Sequence, residues 1–139
     1  MNLPNCFYRV SVKGLILNET RDKFLVCRES TGHWELPGGG LDDGETAATG
    51  LQREIEEEMG LPVKRVADTP CYFFTGHLFT QPDVPYANVV YECEVEHLNI
   101  TPSDECLEYA FVTAAELITL KTFDDPHPLE TLFDPANHQ

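Results

Sequence analysis

Between residues 38 and 61 the chain reads GGGLDDGETAATGLQREIEEEMGL, and no other stretch limits the possible folds as tightly. Three consecutive glycines suit a loop that needs unusual backbone angles or close approach by another segment. Over residues 46–59 the spacing predicts a helix, with Gly60 where a C-cap belongs and Pro62 just beyond it. On that helix Glu54, Glu57 and Glu58 stand three and four residues apart and so share one face. Like charges at this spacing repel, and the macrodipole disfavours anions near a helix C-terminus. A helix that only packed would gain nothing from the placement. Two readings fit it: a solvated acidic face, or a face that binds a hard divalent cation. Magnesium prefers carboxylate oxygens and substrate phosphates in octahedral geometry.

The flanking sequence is punctuated by short apolar runs. Residues 6–17 alternate and then run apolar, which reads as a strand, and residues 24–27 form a second strand. The turn chemistry of residues 18–22 predicts that the two make a hairpin. Residues 71–79 and 88–95 are β-branched or aromatic and are joined by a proline-containing loop. Residues 108–112 read as a further strand. Thr113-Ala114-Ala115-Glu116 is a capping box opening a short helix, and residues 124–133 hold one more. No repeat or linker is visible. The expectation is one α/β (α+β) domain over residues 1–139, with a mixed sheet between helices.

Charge narrows the partners. The chain has 139 residues, 24 of them acidic and 9 basic, for a net charge of −15. A nucleic-acid polymer or an anionic membrane requires a basic footprint, so neither is expected as a partner. The basic residues are unevenly spread: residues 1–28 hold five of the nine and carry a net +3. That margin could seat a small anion beside metal-binding carboxylates. No stretch approaches the roughly 20 apolar residues of a membrane span. The five cysteines show no C-x-x-C pair and no basic-then-apolar leader opens the chain, so the expectation is reduced thiols and a cytoplasmic location. The histidines show no H-x-x-x-H, which makes zinc an unsuitable ion.

The longer pattern is Gly39, five residues, Glu45, seven residues, Arg53-Glu54-Ile55, one residue, Glu57-Glu58, one residue, then Gly60-Leu61. It resembles the signature of the Nudix hydrolases, with every specified position filled. The Trp34-x-Leu36-Pro37-Gly38-Gly39 approach and the Phe111–Leu117 junction look like the same family, so the resemblance spans roughly residues 8–120. It implies a Nudix-type α/β/α sandwich with a catalytic loop–helix–loop and Mg²⁺ (Mn²⁺ also possible). The implied reaction is hydrolysis of a diphosphate linkage in a nucleoside di- or triphosphate or a nucleoside diphosphate derivative, by water attack on phosphorus.

Carried over by position, Glu57 and Glu58 match metal ligands. Glu54 matches a further ligand or the general base. Arg53 matches the arginine that orients the carboxylates, Glu45 the brace between loop and helix, and Gly39 a glycine approaching metal or phosphate. A further downstream carboxylate is expected at Glu105, with Glu108 second. Arg28 matches a position that contacts substrate phosphate, and Asp125, beside Asp124, a region where a polar residue reads the base. Those two aspartates would equally serve as helix N-caps. Gly50 departs from the alanine usual at its position. The resemblance thus implies a small-nucleotide substrate and a monomer or homodimer. A catalytically silent nucleotide-sensing module is the alternative, although such modules usually lack one or more of these carboxylates.

Overall fold

The computed structural model describes residues 2–139. In chain order the elements are β1 (Arg9–Leu15), β2 (Phe24–Arg28), β3 (Trp34–Glu35), β4 (Gly38–Gly40), α1 (Ala47–Met59), β5 (Val63–Val66), β6 (Tyr72–His77), β7 (Pro85–Val95), β8 (Glu108–Val112), α2 (Ala114–Leu117) and α3 (Leu129–Leu132). A 3₁₀ turn, Pro135–His138, follows. A five-stranded mixed sheet is built around β1 and β7, which run parallel; β4 pairs with β1, and β6 and β5 pair antiparallel with successive parts of β7. A second, antiparallel sheet has the order β3-β2-β8.

The sheets lie between helices. On one face Leu51, Ile55 and Met59 of α1, spaced four apart, bury against Val12, Ile16, Leu25 and Cys27. On the other face Leu117 of α2 and Leu129 of α3 close over Leu15, Phe24, Val26 and Val90. Strand β2 therefore feeds both cores in alternation, and its continuous apolar sequence follows from burial on both sides.

The predicted hairpin does not form. Its turn is present, with the Asn18 side-chain oxygen accepting the backbone N–H of Asp22 and Lys23. Beyond one Leu17–Phe24 bridge, however, the two strands part into different sheets. A strand has two hydrogen-bonding edges: those of β1 are taken by β4 and β7, those of β2 by β3 and β8. The capping box at Thr113 is half made. Thr113 Oγ1 accepts the Glu116 N–H at 3.0 Å, while the Glu116 carboxylate lies 3.4 Å from Lys23 Nζ. Strands β3, β4 and β5 lie outside the sequence expectation, because a two-residue strand, an all-glycine strand and the four-residue VKRV leave no alternating signal.

The predicted helix of residues 46–59 is α1. Thr46 is its N-cap, Thr49 completes a reciprocal capping bond, and Gly60 closes it at φ 66°. A Cβ on Gly50 would sit 2.6 Å from Leu41 Cδ1 and 3.3 Å from Glu45 Oε1. The missing alanine methyl thus leaves room for the loop to lie against the helix.

Candidate functional site

Helix α1 carries Glu54 and Glu58 one turn apart, facing the glycine strand β4. The turn at residues 103–106 delivers a third carboxylate. Ser103 Oγ donates to the Glu58 carbonyl at 2.6 Å and Thr101 N–H to the Met59 carbonyl at 2.8 Å, which ties this turn to the C-terminus of α1. As a result, oxygens of Glu54, Glu58 and Glu105 all lie within 4.8 Å of one another. Glu57 stands apart from that cluster, largely exposed, with its carboxylate 3.2 Å from Arg53. Glu108 is directed elsewhere: it is opposite Arg28 in the β2–β8 ladder and pairs with it at 2.6 Å.

Glycine is required at two positions beside these carboxylates. Gly38 has φ 128°, and a Cβ there would lie 2.1 Å from the Val12 carbonyl oxygen. A Cβ on Gly39 would lie 2.7 Å from Glu54 Oε2, because that carboxylate rests directly on the strand. The Gly38 N–H points to Glu58 Oε2 at 3.3 Å.

Arg53 joins loop to helix. Its guanidinium makes a two-point bond to Glu45 at 2.8 and 2.9 Å, and also reaches Glu54, Glu57 and the Gly40 carbonyl. This fork holds the Glu45 carboxyl down at about 2. Glu45 in turn accepts the Asp42 N–H at 2.8 Å, which fixes the turn leading into α1.

Burial has the opposite effect on Glu58. With 5% exposure its carboxyl is pushed up to about 9, and Lys13 and the Gly38 N–H only partly offset this. Lys13 Nζ donates to the Gly38 carbonyl at 3.3 Å. The donor set of three converging carboxylates consists of hard oxygens. A buried carboxyl that holds its proton for want of a counter-charge suits a divalent cation of the magnesium type.

One cavity opens at the cluster and a second adjoins it. The first, of about 210 Å³, is lined by Lys13, Glu29, Gly38, Glu58 and Glu105. The other, of about 240 Å³, shares Lys13, Glu29 and Glu35 with it and extends to Phe79, Asn88 and Phe123. A larger groove of about 660 Å³ runs past Asn18, Glu92 and His97 and shares no lining residue with either. Asp124 lines the second cavity, where it accepts the Tyr86 hydroxyl; Asp125 is exposed and lines neither. Arg28 also lines neither and is engaged by Glu108.

Sequence reasoning passed over Lys13, Asn88 and the buried pair Glu35–His127. His127 Nδ1 accepts the Leu129 N–H at 3.2 Å, so the ring is protonated on Nε2 and donates to Glu35 Oε1 at 3.0 Å. Burial pushes the Glu35 carboxyl up, but the His127 bond, with Lys13 and the Leu36 N–H, outweighs it and holds Glu35 below the usual carboxylate value. Lys13 had left a signal, since Ser11 and Lys13 alternate with Val10 and Val12.

This loop–helix–loop, with α1 packed on one face of the sheets and carrying two of the three converging carboxylates, defines a class. A family model described as NUDIX domain matches residues 7–132, and the chain belongs to that family. A nucleoside triphosphatase NudI from Enterobacter sp. is 29% identical over 109 residues, covering 70% of this chain and 77% of that one. An RNA pyrophosphohydrolase from Zymomonas mobilis is 39% identical over 67 residues, 47% of this chain. The aligned stretches span 43% of that protein and 37% of a MutT-like protein from Streptomyces ambofaciens. Among solved structures, a MutT protein from Methanosarcina mazei superposes with a TM-score of 0.67 at 25% identity, covering 88% of this chain and 89% of that one. The Escherichia coli ORF135 protein, at 16% identity, shares the fold with a TM-score of 0.75 over 96% of this chain and 93% of its own.

Proposed function

We propose that this chain is a divalent-metal-dependent hydrolase that cleaves a phosphoanhydride linkage in a nucleoside triphosphate or a small nucleoside diphosphate derivative. The observation that carries the reading is the convergence of Glu54, Glu58 and Glu105 beside a glycine strand, with Glu58 and Glu105 lining a cavity that shares Lys13, Glu29 and Glu35 with a second, aromatic-walled one. Glu54, Glu58 and Glu105 are the residues to hold Mg²⁺ or Mn²⁺, with Glu57 within reach of Arg53 as a further ligand. A cation held there neutralises the phosphate charge that makes the anhydride inert and lowers the pKa of a water.

The chain's own residues supply the rest. Arg53 is the positioning residue, and its fork to Glu45 keeps the carboxylates of α1 from splaying under mutual repulsion. Glu105, the exposed member of the cluster, accepts the attacking water's proton, help worth roughly 10²–10⁴-fold. Glycine at 38 and 39 lets the Val12 backbone and the Glu54 carboxylate lie directly against the strand, which holds Glu54 in the cluster. Relatives named RNA pyrophosphohydrolase align only in part, and a chain of net charge −15 repels a long polyanion, so a small nucleotide is the substrate class.

The test is a panel of nucleoside triphosphates and diphosphate derivatives with Mg²⁺, scored for released phosphate or pyrophosphate. Turnover that stops in excess EDTA is expected. Tight nucleotide binding without turnover would instead make this a sensing module.

A further inference from the structure

The two cavities that share Lys13, Glu29 and Glu35 form one groove with chemically different ends. One end holds Glu58 and Glu105. The other is walled by Phe79 and Phe123, whose ring centroids are 5.3 Å apart. Phe79 is 58% exposed although it lines a cavity, and His33 stacks on Phe123 at 4.3 Å and fixes its plane. At about 240 Å³ the aromatic end falls below the roughly 300–1,000 Å³ of whole-ligand pockets. It has room for one heterocycle, with the rest of the molecule continuing past Lys13.

The floor of that end is set by strand register. Ser11 of β1 lies opposite Asn88 of β7, and side chains alternate across a sheet, so Ser11, Lys13, Tyr86 and Asn88 rise on one face. All four line the cavity. Asn88 is only 5% exposed, yet among the described residues its side-chain amide makes no hydrogen bond to the protein. No sealed side-chain nitrogen or oxygen lacks a partner, so the Asn88 amide still opens onto the cavity. Open to the cavity, that amide can exchange water for the polar edge of a ligand.

The geometry points to Asn88 as the specificity-determining residue of the groove, its amide reading the edge of a planar base stacked against Phe79 and Phe123 while the phosphates reach Glu54, Glu58 and Glu105. This rests on the nucleotide reading above and adds the residue that sets base preference. An amide presents a donor beside an acceptor, which matches the donor-beside-acceptor edges of nucleobases. Stacking on the rings tolerates any base, so discrimination falls to the amide.

The test compares wild type, Asn88→Leu and Asn88→Asp, with kcat/KM and equilibrium binding measured for ATP, GTP, CTP and UTP. Asn88→Leu deletes the amide at similar size, and Asn88→Asp replaces its donor with an acceptor. The expected result is a base preference in the wild type that Asn88→Leu flattens, with a loss on the preferred base on the order of 5- to 150-fold and little change on the others. Asn88→Asp should reorder the preference. If both variants keep the wild-type ranking and ratios, the inference is wrong, even where all rates fall together. If the wild type binds nucleotides but cleaves none, the hydrolase reading fails, and the binding profiles still decide the role of Asn88. Should a variant not fold, wild-type protein is assayed with analogues of the preferred base methylated on its edge donors. Unimpaired use of those analogues would overturn the assignment.

Discussion

Glu58→Gln separates the stability of the protein from its proposed metal chemistry. In the folded, metal-free protein the Glu58 carboxyl keeps its proton up to about pH 9, against a usual value of 4.5 in the unfolded chain. Between those limits the unfolded state binds fewer protons, so stability falls as pH rises, by about 1.4 kcal/mol per pH unit. The contribution is fully present below pH 4.5 and is lost progressively up to about pH 9. At pH 7 the loss amounts to about 3 kcal/mol as an order of magnitude. Glutamine has the shape of the protonated acid, can still accept the Gly38 N–H, and cannot ionise. In EDTA the variant should therefore match wild type near pH 5 and exceed it by about 3 kcal/mol at pH 7, on the order of 10 °C in midpoint. Urea unfolding followed by the single tryptophan, Trp34, measures both proteins. With Mn²⁺ added the gap should narrow, because wild type gains more from binding than the variant does. A gap that is absent at pH 7, or constant from pH 5 to 8, would mean that the carboxyl is solvated and the burial argument wrong.

Gly39→Ala should leave the fold intact and lower kcat at least about tenfold, because the added methyl displaces the Glu54 carboxylate 2.7 Å away. Steady-state kinetics alongside circular dichroism checks this. His127→Ala removes one of the two hydrogen bonds to the buried Glu35 carboxylate, leaving that from the Leu36 N–H, and should cost about 1.5–3 kcal/mol in urea unfolding. Arg28→Ala and Asp125→Ala should change kcat/KM by less than about twofold, since both lie outside the groove and an exposed ion pair contributes little.

The helix of the site was legible from residue types alone. Its caps, its apolar stripe Leu51-Ile55-Met59 and its glutamate face are all local in sequence, and local periodicity is what a sequence displays most clearly. Glu105 followed from a resemblance rather than from spacing; only the fold shows why it meets Glu54 and Glu58, through the Ser103 and Thr101 bonds to the end of α1. The hairpin expectation failed because two apolar strands and a turn say nothing about competing partners, and β4, β7 and β8 claimed the edges from far along the chain. Arg28 and Glu108 each suited the site by position, and cross-strand register paired them with each other instead. Asn88 gave no signal because it is one of several polar residues in a strand that also carries Glu92 and Glu94, and its amide stands out only once the cavity around it is known.

The central claim is that three particular carboxylates hold a divalent ion, and Mn²⁺ binding followed by electron paramagnetic resonance tests it most directly. Wild type and the variants Glu54→Gln, Glu58→Gln, Glu105→Gln and Glu108→Gln are titrated at pH 7.5, a condition chosen for the assay at about neutral charge on histidine. Each of the first three substitutions should weaken Mn²⁺ binding by at least about tenfold, as expected when a ligand is removed from a small carboxylate set. Glu108→Gln should bind like wild type. Equal affinity across all five proteins, or a loss in Glu108→Gln that matches the loss in Glu105→Gln, would contradict the account.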